Sequence, residues 1–281
     1  VTCIFASDLH GRLERYRTLL DLIAVERPDA VFLGGDLLPS GFAAAASGVD
    51  FVAEFLAPGF RSLARLLGPR APQVFLILGN DDPRDQEAAI QAHAAAGLWH
   101  YAHNRRLQWG ALTVIGYQYV PPTPFLLKDW ERYDVSRQVE PGCVSPEEGW
   151  RTVPVDEHEV RSATIAADLQ ALAVQPLDEA VCLFHSPPYR TTLDRAALDE
   201  VTVDHVPCDV HVGSVAIRRF IESRQPLLTL HGHIHESARL TGDWRDRIGR
   251  TVCLSAAHDG PELAVVRFDP RRPERATREL R

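Results

Sequence analysis

Five short segments of the chain carry side chains able to hold a metal ion: Asp8-Leu9-His10, Gly35-Asp36, Gly79-Asn80-Asp81, His185 and Gly232-His233-Ile234-His235. Asp8, His10, Asp36, Asn80, His185, His233 and His235 offer two carboxylates, one amide oxygen and four imidazoles. Such a mixed oxygen and nitrogen set, with no thiolate, suits borderline divalent ions such as Mn, Fe or Zn. It is too large for one tetrahedral ion and fits two ions sharing a carboxylate. In Asp8-x-His10 and His233-x-His235 the donors lie two apart. On a continuing strand they would face the same way; at a strand-to-loop turn they can grip different ions. The glycines at 35, 79 and 232 permit sharp turns that bring backbone close to such a cluster.

Each segment sits just past a short apolar run. Residues 2–6, 30–33, 74–78, 180–184 and 227–230 read as strands, with others at 111–117, 252–255 and 263–268. Between the first runs lie amphipathic stretches, one with Leu13, Tyr16, Leu19, Leu20 and Ile23 at helical spacing and ended by Pro28, another over 51–67. Residues 83–96 and 158–173 also read as helices, with Pro83 in a first turn and Ser214 capping a later helix through Ile221. This strand–helix–strand alternation predicts an α/β fold with largely parallel strands. Ligand sites in such sheets form at the carboxyl ends of the strands, so the five segments should meet at one rim. Residues 118–156 differ: they hold six prolines, together with Phe125, Trp130, Tyr133 and Trp150, and keep no period. They read as an inserted aromatic and Pro-rich loop, and about 186–213 as a second long loop, both within one domain spanning 1–281. The Arg- and Glu-rich tail from Pro270 is expected to fray at its end.

The ordered set D-x-H, G-D, G-N-x-D, H and G-H-x-H resembles the signature of calcineurin-like metallophosphoesterases, from Asp8 to His235. Each motif alone is weak; all five in order, each at a strand end, are specific. The stretches 7–11 and 230–237 are similar to uncharacterised bacterial and archaeal members. The resemblance implies a four-layer α/β/β/α sandwich of two facing mixed sheets. It implies that Asp8, His10 and His235 hold one ion, Asn80, His185 and His233 the other, with Asp36 between them. It also implies hydrolysis of a phosphoric ester by attack of a metal-bound hydroxide, with Mn the ion expected to serve in an assay. One position departs from the pattern. Many members read G-N-H-[DE], and that histidine assists the leaving group; here Asp81 stands in its place, followed by Asp82. Asn80 and Asp81 are therefore the candidate catalytic residues. A carboxylate cannot act as an imidazolium, so phosphodiesters, activated esters or pyrophosphate links are expected ahead of simple monoesters. Arg84, Arg190, His205 and His211 are weaker candidates for substrate contacts.

The 281 residues include 30 Lys+Arg and 38 Asp+Glu, a formal net charge of −8. That balance argues against a nucleic-acid partner and a nuclease. A small phosphorylated substrate stays compatible, because a local site can be positive on an acidic protein. The five cysteines show no C-x-x-C spacing. Cys3, Cys182 and Cys253 lie in apolar runs and read as buried free thiols, which points to a reducing, cytoplasmic setting. No run reaches the roughly 18 apolar residues of a membrane helix; the longest, 42–57, is broken by Asp50 and Glu54. No secretory signal is visible, and the absence of Met suggests that the initiator residue is missing. Ser186 beside His185 lacks a third orienting group and a G-x-S-x-G elbow, which weighs against a serine hydrolase. Two alternatives accompany the phosphodiesterase reading. One is a nucleotide-sugar or lipid pyrophosphatase using the inserted loop as an apolar groove. The other is a non-catalytic metal-binding scaffold, which the full set of donors opposes. The oligomeric state does not follow from the sequence.

Overall fold

The protein is described from a computed structural model that covers residues 1–40, 48–173 and 175–281. Along its central strands every second residue points to the same core. In β1 (Cys3–Ala6), β2 (Ala30–Gly34) and β3 (Gln73–Ile77), the side chains of Cys3, Phe5, Phe32, Phe75 and Ile77 enter one buried cluster. Val181 and Leu183 of β7 (Ala180–Phe184) and Leu228 and Leu230 of β10 (Leu228–His231) enter it from a second sheet. Residues of opposite parity, such as Ile4, Val31, Leu76, Cys182 and Phe184, pack instead with the helices. Strands covered on both faces must be apolar at every position, which is why these runs are continuous.

The first sheet has the order β14 (Thr277–Leu280), β13 (Ala264–Phe268), β1, β2, β3, β4 (His100–Tyr101). The second runs β11 (Arg245–Ile248), β12 (Thr251–Ser255), β10, β7, β6 (Leu112–Tyr117), β5 (Arg105–Trp109). Strands β1 to β4 are mutually parallel, as are β6, β7, β10 and β12; β13 runs antiparallel to β1, and the edge strands β14, β11 and β5 are each antiparallel to their neighbour. Helices α1 (Leu13–Glu26) and α2 (Ala57–Leu67) serve the first sheet, and α3 (Glu87–Ala95) precedes β4. Helices α4 (Glu157–Ser162), α5 (Ile165–Leu172), α6 (Val215–Arg224) and α7 (Ser237–Thr241) accompany the second. Two facing mixed sheets with helices outside them give the expected α/β sandwich.

Several elements differ from the sequence reading. The tail does not fray: β14 pairs with β13 from Ala264 to Arg267. The short strands β4, β5 and β11 lacked a readable apolar run. The helix expected over 158–173 is two, because Ala163 turns extended and the Thr164 side chain caps α5 by accepting from the Ala167 amide. Pro83 precedes its helix in extended backbone rather than sitting in the first turn. Helix α1 ends at Arg27, whose left-handed backbone still donates to the Ile23 carbonyl, before Pro28 is reached. Ser214 caps α6 as expected, accepting from the Ile217 amide. The second long loop contains a small hairpin of β8 (Thr202–Val203) and β9 (Val206–Pro207). The apolar stretch 42–57 lies partly outside the described residues. Among those described, no helix is long and apolar enough to cross a membrane. All five cysteines are free, and Cys3, Cys182 and Cys253 are buried.

The 118–156 segment has little regular structure but is anchored by charge. Lys128, the sole lysine of the chain, is fully buried. Its Nζ donates to Glu131 Oε2 at 2.5 Å and to the Thr123 carbonyl at 2.9 Å. Glu131 also accepts from the Thr123 amide at 2.7 Å. Asp134, further along, accepts from Ser214 Oγ at 2.5 Å and the Val215 amide at 2.7 Å, tying the segment to the start of α6. Removing one member of a buried pair leaves an uncompensated charge. Lys128→Met is therefore expected to lower unfolding free energy by about 3–5 kcal/mol in urea titrations, and Lys128→Met/Glu131→Leu by clearly less. Equal losses from the single and double variants would show that the pair does not anchor the segment.

Candidate metal centre

β1, β2, β3, β7 and β10 all end at one rim, and backbone pairing continues past their ends. The Asp8 amide donates to the Gly35 carbonyl at 2.9 Å, and the His10 amide to the Asp36 carbonyl at 2.8 Å. Across the other sheet, the Gly232 amide donates to the His185 carbonyl at 2.9 Å. The chain then turns sharply. Asp8, His10, Asp36 and His233 all adopt left-handed backbone, with φ of 58°, 48°, 51° and 75°. Such conformations are sparsely populated by non-glycine residues and gather at functional sites. Gly79 and Gly232 allow the close approach: a Cβ on Gly79 would strike Asp36 and His185, and one on Gly232 would strike Ser7 and Asp8.

The turns bring all seven candidate donors together. One ligand atom from each of Asp8, His10, Asp36 and His235 lies within 4.8 Å of the others. His235 Nε2 is 3.2 Å from Asp8 Oδ1 and 3.2 Å from His10 Nε2. On the other side, His185 Nε2 is 3.1 Å from Asn80 Oδ1 and 3.4 Å from Asp36 Oδ2. Its Nδ1 lies 2.8 Å from the Gly34 carbonyl, so a proton donated there leaves Nε2 free to face the cluster. The His233 ring is centred 5.2 Å from that of His185. Asp8 Oδ2 is buried with no hydrogen-bond partner. A buried carboxylate oxygen left unpaired amid imidazoles fits a cation, as does the oxygen and nitrogen donor set itself.

The charges are strongly coupled. Burial would raise the Asp8 carboxyl, but the bond to His235 and nearby imidazoles hold it down to about 2. Asp36 is likewise held well below the usual carboxylate range against its burial, chiefly by His185. Burial lowers His10 and His185, yet the carboxylates around them outweigh it and lift both to about 9. His233 goes the other way, down to about 3, through burial and the adjacent His185 charge. Without ions, protonated imidazoles neutralise the carboxylates.

Asp81 is partly exposed, and its Oδ2 lies 3.2 Å from His10 Nδ1, the nitrogen turned away from His235. Its amide donates to Asp36 Oδ1 at 2.8 Å. Arg84 does not face the centre; its guanidinium stacks on Trp130 at 4.9 Å. Arg190 lies over Tyr189, and His211 pairs with Asp194 at 2.8 Å. None of Arg84, Arg190, His205 and His211 lines the cleft at the metal centre. His231 is buried between the Ser186 carbonyl and Thr229, a structural position.

Two supporting residues escaped the sequence reading. Arg15 is buried in α1 and donates to the Asp8 carbonyl and to that of Gly260. Asp82 is buried and accepts from the amides of Leu37, Leu38 and Gly79, pinning the loops after β2 and β3 together. Burial and nearby Asp36 push its carboxyl up to about 7 despite these bonds. The acidic doublet after Gly-Asn was the available signal for Asp82; Arg15 had none. An apolar groove was expected of the first inserted loop; the cleft of about 650 Å³ that opens on His10, Asp36, Asn80 and His233 is walled by both loops.

Residues 1–237 match the calcineurin-like phosphoesterase family, and the chain belongs to it. Membership together with the candidate site supports a metal-dependent phosphoesterase. Among solved structures, the TT1561 protein of Thermus thermophilus is similar at 16% identity and TM-score 0.54, covering 99% of this chain and 98% of that one. A dimetal phosphatase from Danio rerio is similar at 12% identity and TM-score 0.52, covering 95% and 91%. At these identities the likeness shows the fold. A search of curated proteins returns no significant match.

His10 and His185 must lose protons before they can ligate an ion. Metal affinity should therefore rise steadily from about pH 6.5 to 9, with about two protons released per chain at pH 7, measured by calorimetry in buffers of different ionisation enthalpy. The metal-free fold should respond oppositely. The raised imidazoles contribute stability that is fully present below their ordinary value of 6.5 and lost as pH rises through about 9. A carboxylate behind a ligating imidazole orients it and raises its basicity, so Asp81→Asn should weaken metal retention roughly 10–100-fold in chelator competition. Unchanged retention would remove Asp81 from that role.

Proposed function

We propose that this chain is a dinuclear-metal phosphoesterase that hydrolyses a phosphodiester or a related small phosphate compound. The observation that carries the reading is the convergence of Asp8, His10, Asp36 and His235, with Asn80, His185 and His233 alongside. In it, Asp8, His10 and His235 hold one ion, Asn80, His185 and His233 the other, and Asp36 faces both. Bound ions would supply Lewis acidity toward phosphoryl oxygens and lower the pKa of bound water, and Mn is the ion proposed for assay. The chain's own groups shape the choice of substrate. Asp81 places a carboxylate beside His10 where many members carry an imidazole, so the proposed site lacks that imidazole for leaving-group assistance. No Lys or Arg is among the described residues lining the cleft, so beyond the metal centre no side chain of fixed positive charge meets the second charge of a monoester dianion. A diester carries one charge fewer. A nucleotide pyrophosphate would bring a further charge and finds no guanidinium to meet it.

The remaining proposals follow from composition. The chain works as a single domain on a small phosphorylated substrate, not on nucleic acid, given its net charge of −8. Its free thiols favour a reducing, cytoplasmic setting.

With Mn added, bis-p-nitrophenyl phosphate should be hydrolysed at least about tenfold faster than p-nitrophenyl phosphate, with cyclic nucleotides and nucleotide sugars as comparison. Asp36→Asn should lower kcat/KM by more than the roughly 10–100-fold typical of residues behind a ligand. Inactivity on the whole panel with two ions bound would replace this reading with a scaffold.

A further inference from the structure

The cleft beside the metal centre is built for carbon rather than for polar groups. Its walls include Pro121, Pro122, Leu198, Val201, Val203 and Val212, drawn from both inserted loops. Of the polar lining away from the centre, Thr123 donates its hydroxyl to Glu131, and Cys143 and Cys208 add only thiols. Its carboxylates, Asp36, Asp81 and Glu236, all lie at or beside the candidate donors in sequence. At about 650 Å³ it is the size of a small-molecule site. The loops that form it are held in place: Lys128 and Asp134 anchor the first, and Asp194 in the second accepts from the amides of Arg190, Thr191 and Gly213. A sugar, a base or a second phosphate seated here would turn polar atoms toward aliphatic side chains, with no Lys or Arg among the described lining residues.

We propose that the substrate is a phosphoester whose non-reacting group is an aliphatic chain, seated between the two inserted loops with its phosphate at the metal centre. The proposal rests on the phosphoesterase reading above and narrows it. Three observations converge: the apolar walls, the lack of Lys and Arg among the described lining residues, and the direct opening of the cleft onto His10, Asp36, Asn80 and His233. Each methylene that enters the cleft leaves water, so binding should strengthen with chain length.

The test is a series of p-nitrophenyl alkyl phosphates from methyl to hexyl, hydrolysed by the Mn-loaded chain. Leaving group and charge are constant across the series. The expected result is a rise in kcat/KM of about fourfold per methylene, flattened in Val201→Asp and in Leu198→Ser. Val201 is partly exposed in a loop, so its variant should fold normally. A series in which every ester is hydrolysed at rates within twofold would overturn the aliphatic assignment and leave the phosphoesterase standing. Calorimetric binding of methyl- to hexylphosphonate reads the cleft without turnover. Affinity that climbs with chain length supports the cleft even if no ester is hydrolysed, an outcome that would sink the hydrolytic reading alone. Flat affinity would overturn the cleft proposal whatever the turnover.

Discussion

Two buried carboxylates set the terms for everything else at the rim. Asp8 and Asp36 are almost wholly removed from water, and with Asp82 beside them they form a concentration of negative charge that no apolar fold tolerates alone. Imidazoles from the ends of other strands supply the compensating charge when no ion is bound. The left-handed turns at Asp8, His10, Asp36 and His233 are the backbone's contribution to that arrangement. Each such turn costs about 1–3 kcal/mol and persists only where surrounding structure enforces it. Here the enforcement is visible in the amides pairing Asp8 with Gly35 and His10 with Asp36, and in Arg15 and Asp82 fastening the loops. Cations would replace the imidazolium charges with stronger ones, which makes the folded rim and the ion mutually dependent.

Much of this was legible before any coordinates. The central strands announced themselves because burial on both faces demands uninterrupted apolar runs. The placement of Asp8, Asp36, Asn80, His185 and His233 at one rim followed from their position just after those runs. Three things were hidden. Short edge strands such as β4 and β14 take their order from pairing with a neighbour, and His100–Tyr101 or Thr277–Leu280 has no apolar pattern of its own. The contact between Asp81 and His10 joins residues 71 positions apart, and spacing alone says nothing about which imidazole a carboxylate meets. The second wall of the cleft was hidden too: an apolar groove was expected of the first inserted loop alone, and the walls are isolated prolines and valines from two irregular loops. Only the fold puts them opposite one another.

The division of labour between strands and loops is therefore sharp. Donors come from strand ends, where a displacement of one residue would carry a side chain to the wrong face. Walls come from segments whose own anchors, Lys128–Glu131 in one and the Asp194 turn in the other, lie outside the donor set.

The tie from Asp134 to the start of α6 has a consequence for how this molecule can change over generations. It fastens the first inserted loop to the helix that follows the second, so the two walls share one support. Substitutions within either wall can accumulate without disturbing the donors, and natural variation can redraw the accepted substrate while the chemistry is inherited intact. Loss of the Asp134 carboxylate would uncouple the two walls from that shared support and leave each on its own anchor. Diversification in this lineage should therefore be tolerant along the loops and constrained at the carboxylates that hold them, Glu131, Asp134 and Asp194.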